Sequence, residues 1–237
     1  MNRLTAWGVE GIGEIVPGMQ LGDVIVDACR NEPNGPLLDN DVLVVTQKIV
    51  SKAEGRLVDI DPDDPLSHKA LVESEAVRIV RRRGDLIITE TTHGFVCANS
   101  GIDLSNVQRG QAALLPIDSD RSARRIRDIV KAKLGVSVGV VISDTFGRPW
   151  RKGLTDVAIG VAGIAGVLDL RGTPDALGRM MQVTEVAIAD ELASAAELVM
   201  GKSNGVPVGV VRGADPSWFR ESSMDEIVRP PAEDLFR

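Results

Sequence analysis

Short apolar runs rich in β-branched residues alternate along the chain with segments whose apolar positions recur at helical spacing. Asp41-Val42-Leu43-Val44-Val45 predicts a buried strand, and residues 86–89, 138–142 and 208–211 predict three more. Leu71, Val72, Ala76, Ile79 and Val80 fit one face of a helix that Gly84 would close. Ser119 or Asp120 is positioned to cap a second helix ending at Leu134 before Gly135. Residues 184–200 carry Val186, Ile188, Leu192, Ala195 and Val199 in an amphipathic pattern. The glycine-rich stretch 158–166 suits a strand and a small-residue helix equally. Asp59-Ile60-Asp61-Pro62-Asp63-Asp64-Pro65 lacks the glycine and closing glutamate of a calcium loop and reads as a surface turn. Strands alternating with helices predict an α/β or α+β chain with mixed sheets.

Composition narrows the function classes. At 237 residues the chain is one large domain or two lobes, with no repeat, heptad or low-complexity tract. A net charge of −7 argues against a general nucleic-acid or anionic-membrane surface. Four Phe, three Trp and no Tyr argue against a binder built on aromatic stacking. No apolar run approaches a membrane span, and Met1-Asn2-Arg3-Leu4-Thr5-Ala6-Trp7 has no signal-peptide apolar region. Cys29 and Cys97 lie far apart in apolar surroundings, which fits a reduced, cytoplasmic setting. The tail Arg229-Pro230-Pro231-Ala232-Glu233-Asp234-Leu235-Phe236-Arg237 reads equally as a terminus or as the lead-in to a further domain.

Two nucleotide-binding motifs are mimicked and neither holds. Gly201-Lys202-Ser203 ends like a phosphate loop, but Ala196 stands where the first glycine belongs, and a helix precedes it. Gly11-Ile12-Gly13 opens like a dinucleotide fingerprint, yet position 16 is Val. His68 and His93 are too few for a histidine-rich zinc site. The aspartates carry more. The strand ending in Ile142-Ser143-Asp144-Thr145 delivers a carboxylate and a hydroxyl at its carboxyl end, where α/β folds bind ligands. Asp144 there is either a turn cap or a hard-oxygen ligand for Mg²⁺ or Mn²⁺. Phe146-Gly147-Arg148-Pro149-Trp150-Arg151-Lys152-Gly153 sets three cations beside it, either a solvated basic loop or a grip on phosphate or carboxylate. Gly101-Ile102-Asp103-Leu104-Ser105-Asn106 is a turn or a second acidic site, and two such sites are what a metal–nucleotide centre requires.

Four stretches, in order, resemble the coenzyme F420:L-glutamate ligase (F420-0:γ-glutamyl ligase) family, including the N-terminal domain of its bifunctional actinobacterial members. They are Thr46-Gln47-Lys48-Ile49-Val50-Ser51-Lys52-Ala53-Glu54-Gly55-Arg56, Ala98-Asn99-Ser100-Gly101-Ile102-Asp103-Leu104-Ser105-Asn106-Val107, Ser143-Asp144-Thr145-Phe146-Gly147-Arg148-Pro149-Trp150-Arg151 and Val183-Thr184-Glu185-Val186-Ala187-Ile188-Ala189-Asp190-Glu191. The resemblance implies a two-lobed fold spanning residues 1–237 as one ligase domain, a homodimer, GTP as co-substrate, two divalent ions (Mg²⁺ or Mn²⁺) and a stimulating K⁺. Carried over, Val16, Pro17, Gly18 and Met19 line the GTP site with Gln47, Lys52 and Asn106. Asp103 and Asp144 ligate one metal and Thr145 the second, and Met200, Gly201, Lys202, Ser203, Asn204, Gly205 and Val206 form a further nucleotide-contacting loop. That loop departs from the family: Lys202 stands where many relatives have a metal-ligating glutamine, and the loop is one residue shorter. An ammonium is a poor ligand beside Mg²⁺ and is suited instead to direct contact with phosphate.

The reaction so implied joins a carboxylate of F420-0, or its dehydro form, to the amine of L-glutamate, with further γ-linked additions open. The carboxylate takes the γ-phosphoryl group of GTP, releasing GDP, and glutamate displaces phosphate from the acyl phosphate. Asp103, Asp144 and Lys52 are the expected catalytic residues, and Arg148 and Arg151 the expected substrate contacts. A metal-dependent phosphohydrolase using the same aspartates, and a non-catalytic module of a two-domain reductase, are the competing readings.

Overall fold

The structure, a computed structural model, describes residues 3–30, 32–234 and 236. In chain order its first elements are β1 (Thr5–Gly8), α1 (Leu21–Arg30), β2 (Val42–Thr46), α2 (Gln47–Ala53), β3 (Leu57–Asp59) and α3 (Lys69–Ser74). Next come β4 (Ala76–Arg83), β5 (Leu86–Thr91), β6 (Val96–Ala98), β7 (Gln111–Ala113) and α4 (Ser119–Leu134). The rest are β8 (Gly139–Arg148), β9 (Arg151–Ala162), β10 (Leu168–Asp169), β11 (Glu185–Val186), α5 (Ile188–Met200) and β12 (Val208–Arg212). The chain is mixed α/β with several sheets, as its alternating pattern predicts.

The principal sheet has the order β1-β12-β2-β8-β9, with β2 and β8 parallel and every other pair antiparallel. Valines and their neighbours in β2, β8 and β12 are buried as continuous runs because helices cover the sheet: α4 packs on β8 and β9, α1 lies against α4, and α5 packs on β9, β12 and β1. Close approach depends on glycine at one point. A Cβ on Gly160 of β9 would come within 2.5 Å of Ser119 Cβ at the start of α4. A smaller apolar cluster of Val72, Ile87, Ile102, Ala112 and Leu114 joins α3, the β3–β7 ladder and the β4-β5-β6 sheet.

At the end of the sheet where β2 begins, Arg212 grips Asp41 with two hydrogen bonds, Nε to Oδ1 at 2.7 Å and Nη2 to Oδ2 at 2.6 Å. Asp41 is only 1% exposed and also accepts from the Leu38 N–H, so its charge is matched rather than stranded.

Several boundaries differ from the sequence reading. The helix expected through Ala76, Ile79 and Val80 stops at Ser74; those residues belong to β4, and Gly84, at φ +57, turns the β4–β5 hairpin instead of closing a helix. The cap of α4 is Asp118, whose carboxylate accepts from the Arg121 N–H at 2.8 Å. Asp120 bonds instead to the N–H groups of Val161 and Met224. Stretch 158–166 is strand through Ala162, and the last long helix begins at Ile188, after a short β11. The acidic stretch 59–65 is a turn region in which Asp61 and Asp64 cap N–H groups two residues on. Of the two termini, Met1, Asn2, Leu235 and Arg237 lie outside the described residues.

Candidate active site

The final parallel pair of the sheet is Thr46 with Ser143. Beyond it β2 turns into α2, while β8 runs on to Arg148 with β9 as its sole ladder partner. A cleft of about 510 Å³ opens there, walled by residues 12–15, the start of α2, the 103–106 turn and the loop after α5. Asp144 and Thr145 therefore sit where the strand loses one neighbour, not where it stops. Successive side chains leave opposite faces of a strand, and this splits the site into two clusters.

On one side is Asp144 with Asp103. Asp103 is fixed by a two-way bridge to Ala113, at 3.0 and 2.9 Å, and its Oδ1 accepts from the Ser105 N–H at 2.7 Å. Lys48 Nζ lies 2.5 Å from Asp103 Oδ2. Burial pushes the Asp144 carboxyl up to about 7 against the pull of the Thr145 N–H; the charges of Asp103 and Asp156 raise it further and Lys48 opposes them. One turn along α2, on the same face, Lys52 Nζ pairs with Glu14 Oε1 at 2.5 Å.

On the other side Asp156, 3% exposed, faces Thr145 across the β8–β9 ladder. Thr145 Oγ1 donates to Asp156 Oδ1 at 2.7 Å and Ser143 Oγ donates to Oδ2 at 3.2 Å. Lys202 reaches into this group: Nζ is 2.5 Å from Asp156 Oδ1, 2.6 Å from Thr145 Oγ1 and 3.3 Å from Glu197 Oε1. Burial lowers the Lys202 pKa, but the bonds and charges of Asp156 and Glu197 outweigh it and hold the ammonium above its ordinary value.

The expected residues divide accordingly. Asp103, Asp144, Thr145, Gln47, Lys52 and Asn106 all line the cleft, as do Met200, Gly201, Lys202, Gly205 and Val206. Gln47 does so with its amide nitrogen engaged, to Ser51 Oγ at 2.6 Å and the Leu114 carbonyl at 3.0 Å. Ser203 and Asn204 lie outside the lining, and so do Val16, Pro17, Gly18 and Met19, which follow the lining segment 12–15. Arg148 and Arg151 sit at the exposed end of the β8–β9 hairpin, where the Arg148 guanidinium closes the turn on the Lys152 carbonyl at 2.6 Å. Sequence reasoning gave no role to Asp156, Glu197, Glu14 or Lys48. Lys48 and Lys52 stand four apart on a helix and point the same way, a signal that was readable.

No three His, Cys, Asp or Glu side chains converge as a metal cage among the described residues. A divalent ion between Asp103 and Asp144 would complete its shell from water and phosphate, the usual habit of Mg²⁺. The residues fit such an ion: two carboxylates, one of them held near neutral pH by burial, gain from a cation between them. No helix among the described residues is long and apolar enough to cross a membrane.

Residues 11–213 match the family model described as F420-0:Gamma-glutamyl ligase. Among curated proteins the chain is 41% identical to the coenzyme F420:L-glutamate ligase of Methanothermobacter thermautotrophicus, over 97% of each chain. It is 43% identical to the ligase of the same name from Methanocaldococcus jannaschii, over 85% of this chain and 86% of that one. The Methanococcus maripaludis C7 ligase is likewise 43% identical, over 85% of this chain and 87% of its own.

Proposed function

The chain belongs to the F420-0:gamma-glutamyl ligase family, and from that premise we propose that it is a GTP-dependent ligase joining F420-0 to L-glutamate. One observation supports this reading above the rest. Lys52, the Asp103–Asn106 turn and Asp144, from three distant stretches of the sequence, meet on a single cleft with the loop after α5.

Amide formation between a carboxylate and an amine is uphill in water, and a carboxylate is a poor electrophile. In the proposed reaction a precursor carboxylate oxygen attacks the γ-phosphorus of GTP; the bond to the bridging oxygen breaks and GDP leaves. The amine of glutamate then attacks the acyl carbon, phosphate departs with the bonding pair, and the amine proton passes to solvent or base. Asp103 and Asp144 would hold a divalent ion, which when bound supplies neutralisation of charge on the phosphates. Lys52 is matched to a phosphate: its partner Glu14 is 71% exposed, so the nucleotide can displace a weakly held carboxylate. Asn106 donates to the Lys202 carbonyl at 3.4 Å and ties the 103–106 turn to the loop after α5, so both walls close on one ligand.

The test is mass spectrometry of the deazaflavin after incubation with GTP, Mn²⁺ and L-glutamate. An increment of one glutamyl unit, or a ladder of them, is expected. GTP hydrolysis with no glutamyl adduct and no dependence on glutamate would replace this reading with a phosphohydrolase.

A further inference from the structure

We infer that the Lys202 ammonium is a built-in cation that takes the place of a second divalent ion in this chain. The inference rests on the ligase reading for the position of the nucleotide, but its physical basis is the second cluster alone.

Thr145 Oγ1, Asp156 Oδ1 and Glu197 Oε1 converge on one point from β8, β9 and α5, and all three residues line the cleft. Such a hard-oxygen set, two carboxylates and a hydroxyl, suits a divalent ion completed by phosphate. Lys202 Nζ lies within 3.3 Å of all three. Its three N–H donors match the three acceptors one to one. An ammonium at that point excludes an ion from the same oxygens by contact and by like charge.

The backbone delivers the lysine there by design of the turn. Gly201, at φ +65 and ψ 177, caps α5 in a conformation open essentially to glycine alone, and a Cβ on it would meet Asn204 Nδ2 at 2.5 Å. The chain thus reverses sharply after Met200, and Lys202 folds back over Glu197, one turn earlier on the helix. Asp156 needs the arrangement, since its carboxylate is buried and Lys202 is its cationic partner. The ammonium consequently brings one fixed positive charge to the two carboxylates where a divalent ion would bring two, and it cannot be removed by a chelator.

The test is a Mn²⁺ titration read by electron paramagnetic resonance on wild type and Lys202→Gln, each alone and with a non-hydrolysable GTP analogue. One more bound ion per chain in Lys202→Gln than in wild type is expected. Equal counts in the two proteins, or two ions in wild type, would overturn the inference. The wild-type count reports separately on the ligase reading: zero ions in wild type with one in the variant removes the Asp103–Asp144 metal site and leaves the role of Lys202 standing. Should the variant not fold, anomalous diffraction from wild-type crystals in Mn²⁺ decides the matter. Absence of a peak between Thr145, Asp156 and Glu197 supports the inference, and a peak there ends it.

Discussion

Thr145 stands directly opposite Asp156 in the β8–β9 ladder and donates its hydroxyl hydrogen to Oδ1 at 2.7 Å. That bond is one of few that satisfy a carboxylate almost wholly removed from water. Thr145→Val keeps the shape and deletes the donor, so a loss of about 1.5–3 kcal/mol is expected. Urea unfolding checks it, and an unchanged midpoint would mean that Lys202 and Ser143 suffice for Asp156.

Asp144→Asn keeps volume and backbone while removing the charge. Because burial already disfavours that charge, the variant is expected to fold at least as well as wild type in metal-free buffer. Turnover is expected to fall by at least about 10²-fold, the scale of losing one group that stabilises transition-state charge. GDP release beside a thermal melt separates the two effects; near-wild-type release refutes the ligand assignment.

Far from the cleft, Arg212→Met strands the Asp41 carboxylate in a dry setting. A cost of about 3–5 kcal/mol is expected, with much of it recovered in the double variant Asp41→Asn, Arg212→Met. Thermal denaturation of the four proteins gives the coupling, and additive losses would show that the pair carries no special energy.

What was legible follows burial. The strands β2, β8 and β12 are packed on both faces, so their valine-rich runs have no competing explanation, and α4 and α5 carry long amphipathic stripes. β4 was misread because Leu71 and Val72 do lie on a helix, and Ala76, Ile79 and Val80 happen to continue its period. Two register shifts within β4 break the alternation that would have marked it as a strand. At the site, Asp103 and Asp144 were found through stretches that resemble a family. Asp156 lies inside an apolar strand whose pattern says nothing of which neighbour it faces; only the β8–β9 register brings it to Thr145. Arg148 and Arg151 are expected as ligand contacts from their closeness in sequence to Asp144, and the β8–β9 hairpin places both outside the lining of the cleft.

Both thiols make alkaline conditions adverse. Burial, aided by Glu32 and Asp41, pushes the Cys29 thiol up to about 12. Burial followed by the charge of Asp144 does the same at Cys97, where a Gly101 backbone hydrogen bond opposes it. The unfolded chain loses these protons near 9 and the native one does not, so their contribution is intact below pH 9 and is lost as pH climbs toward 12. Each thiol weakens the native state by about 1.4 kcal/mol per pH unit across that window. Urea unfolding between pH 8 and 10.5 is expected to show a steeper decline for wild type than for Cys29→Ala.

Gly201→Ala forces a side chain into a backbone region that only glycine occupies freely, at a cost of about 1–3 kcal/mol. Lys202 then loses its approach to Asp156, and the KM for GTP is expected to rise more than kcat falls. Steady-state kinetics on GTP reads the split; equal KM values would show that the turn relaxes without moving the lysine.

The parallel pairing of β2 with β8 has a kinetic corollary. Parallel neighbours cannot be joined by a tight turn, and here residues 47–138, holding the smaller apolar cluster and the helices α2, α3 and α4, fill the crossover. Closing so long a loop must precede any reward from the strands it brings together. Assembly of the cleft, which Thr46 and Ser143 both line, should therefore be the last step when the denatured chain is diluted into buffer, well after helical signal has recovered, and binding of the proposed nucleotide is the readout that checks it.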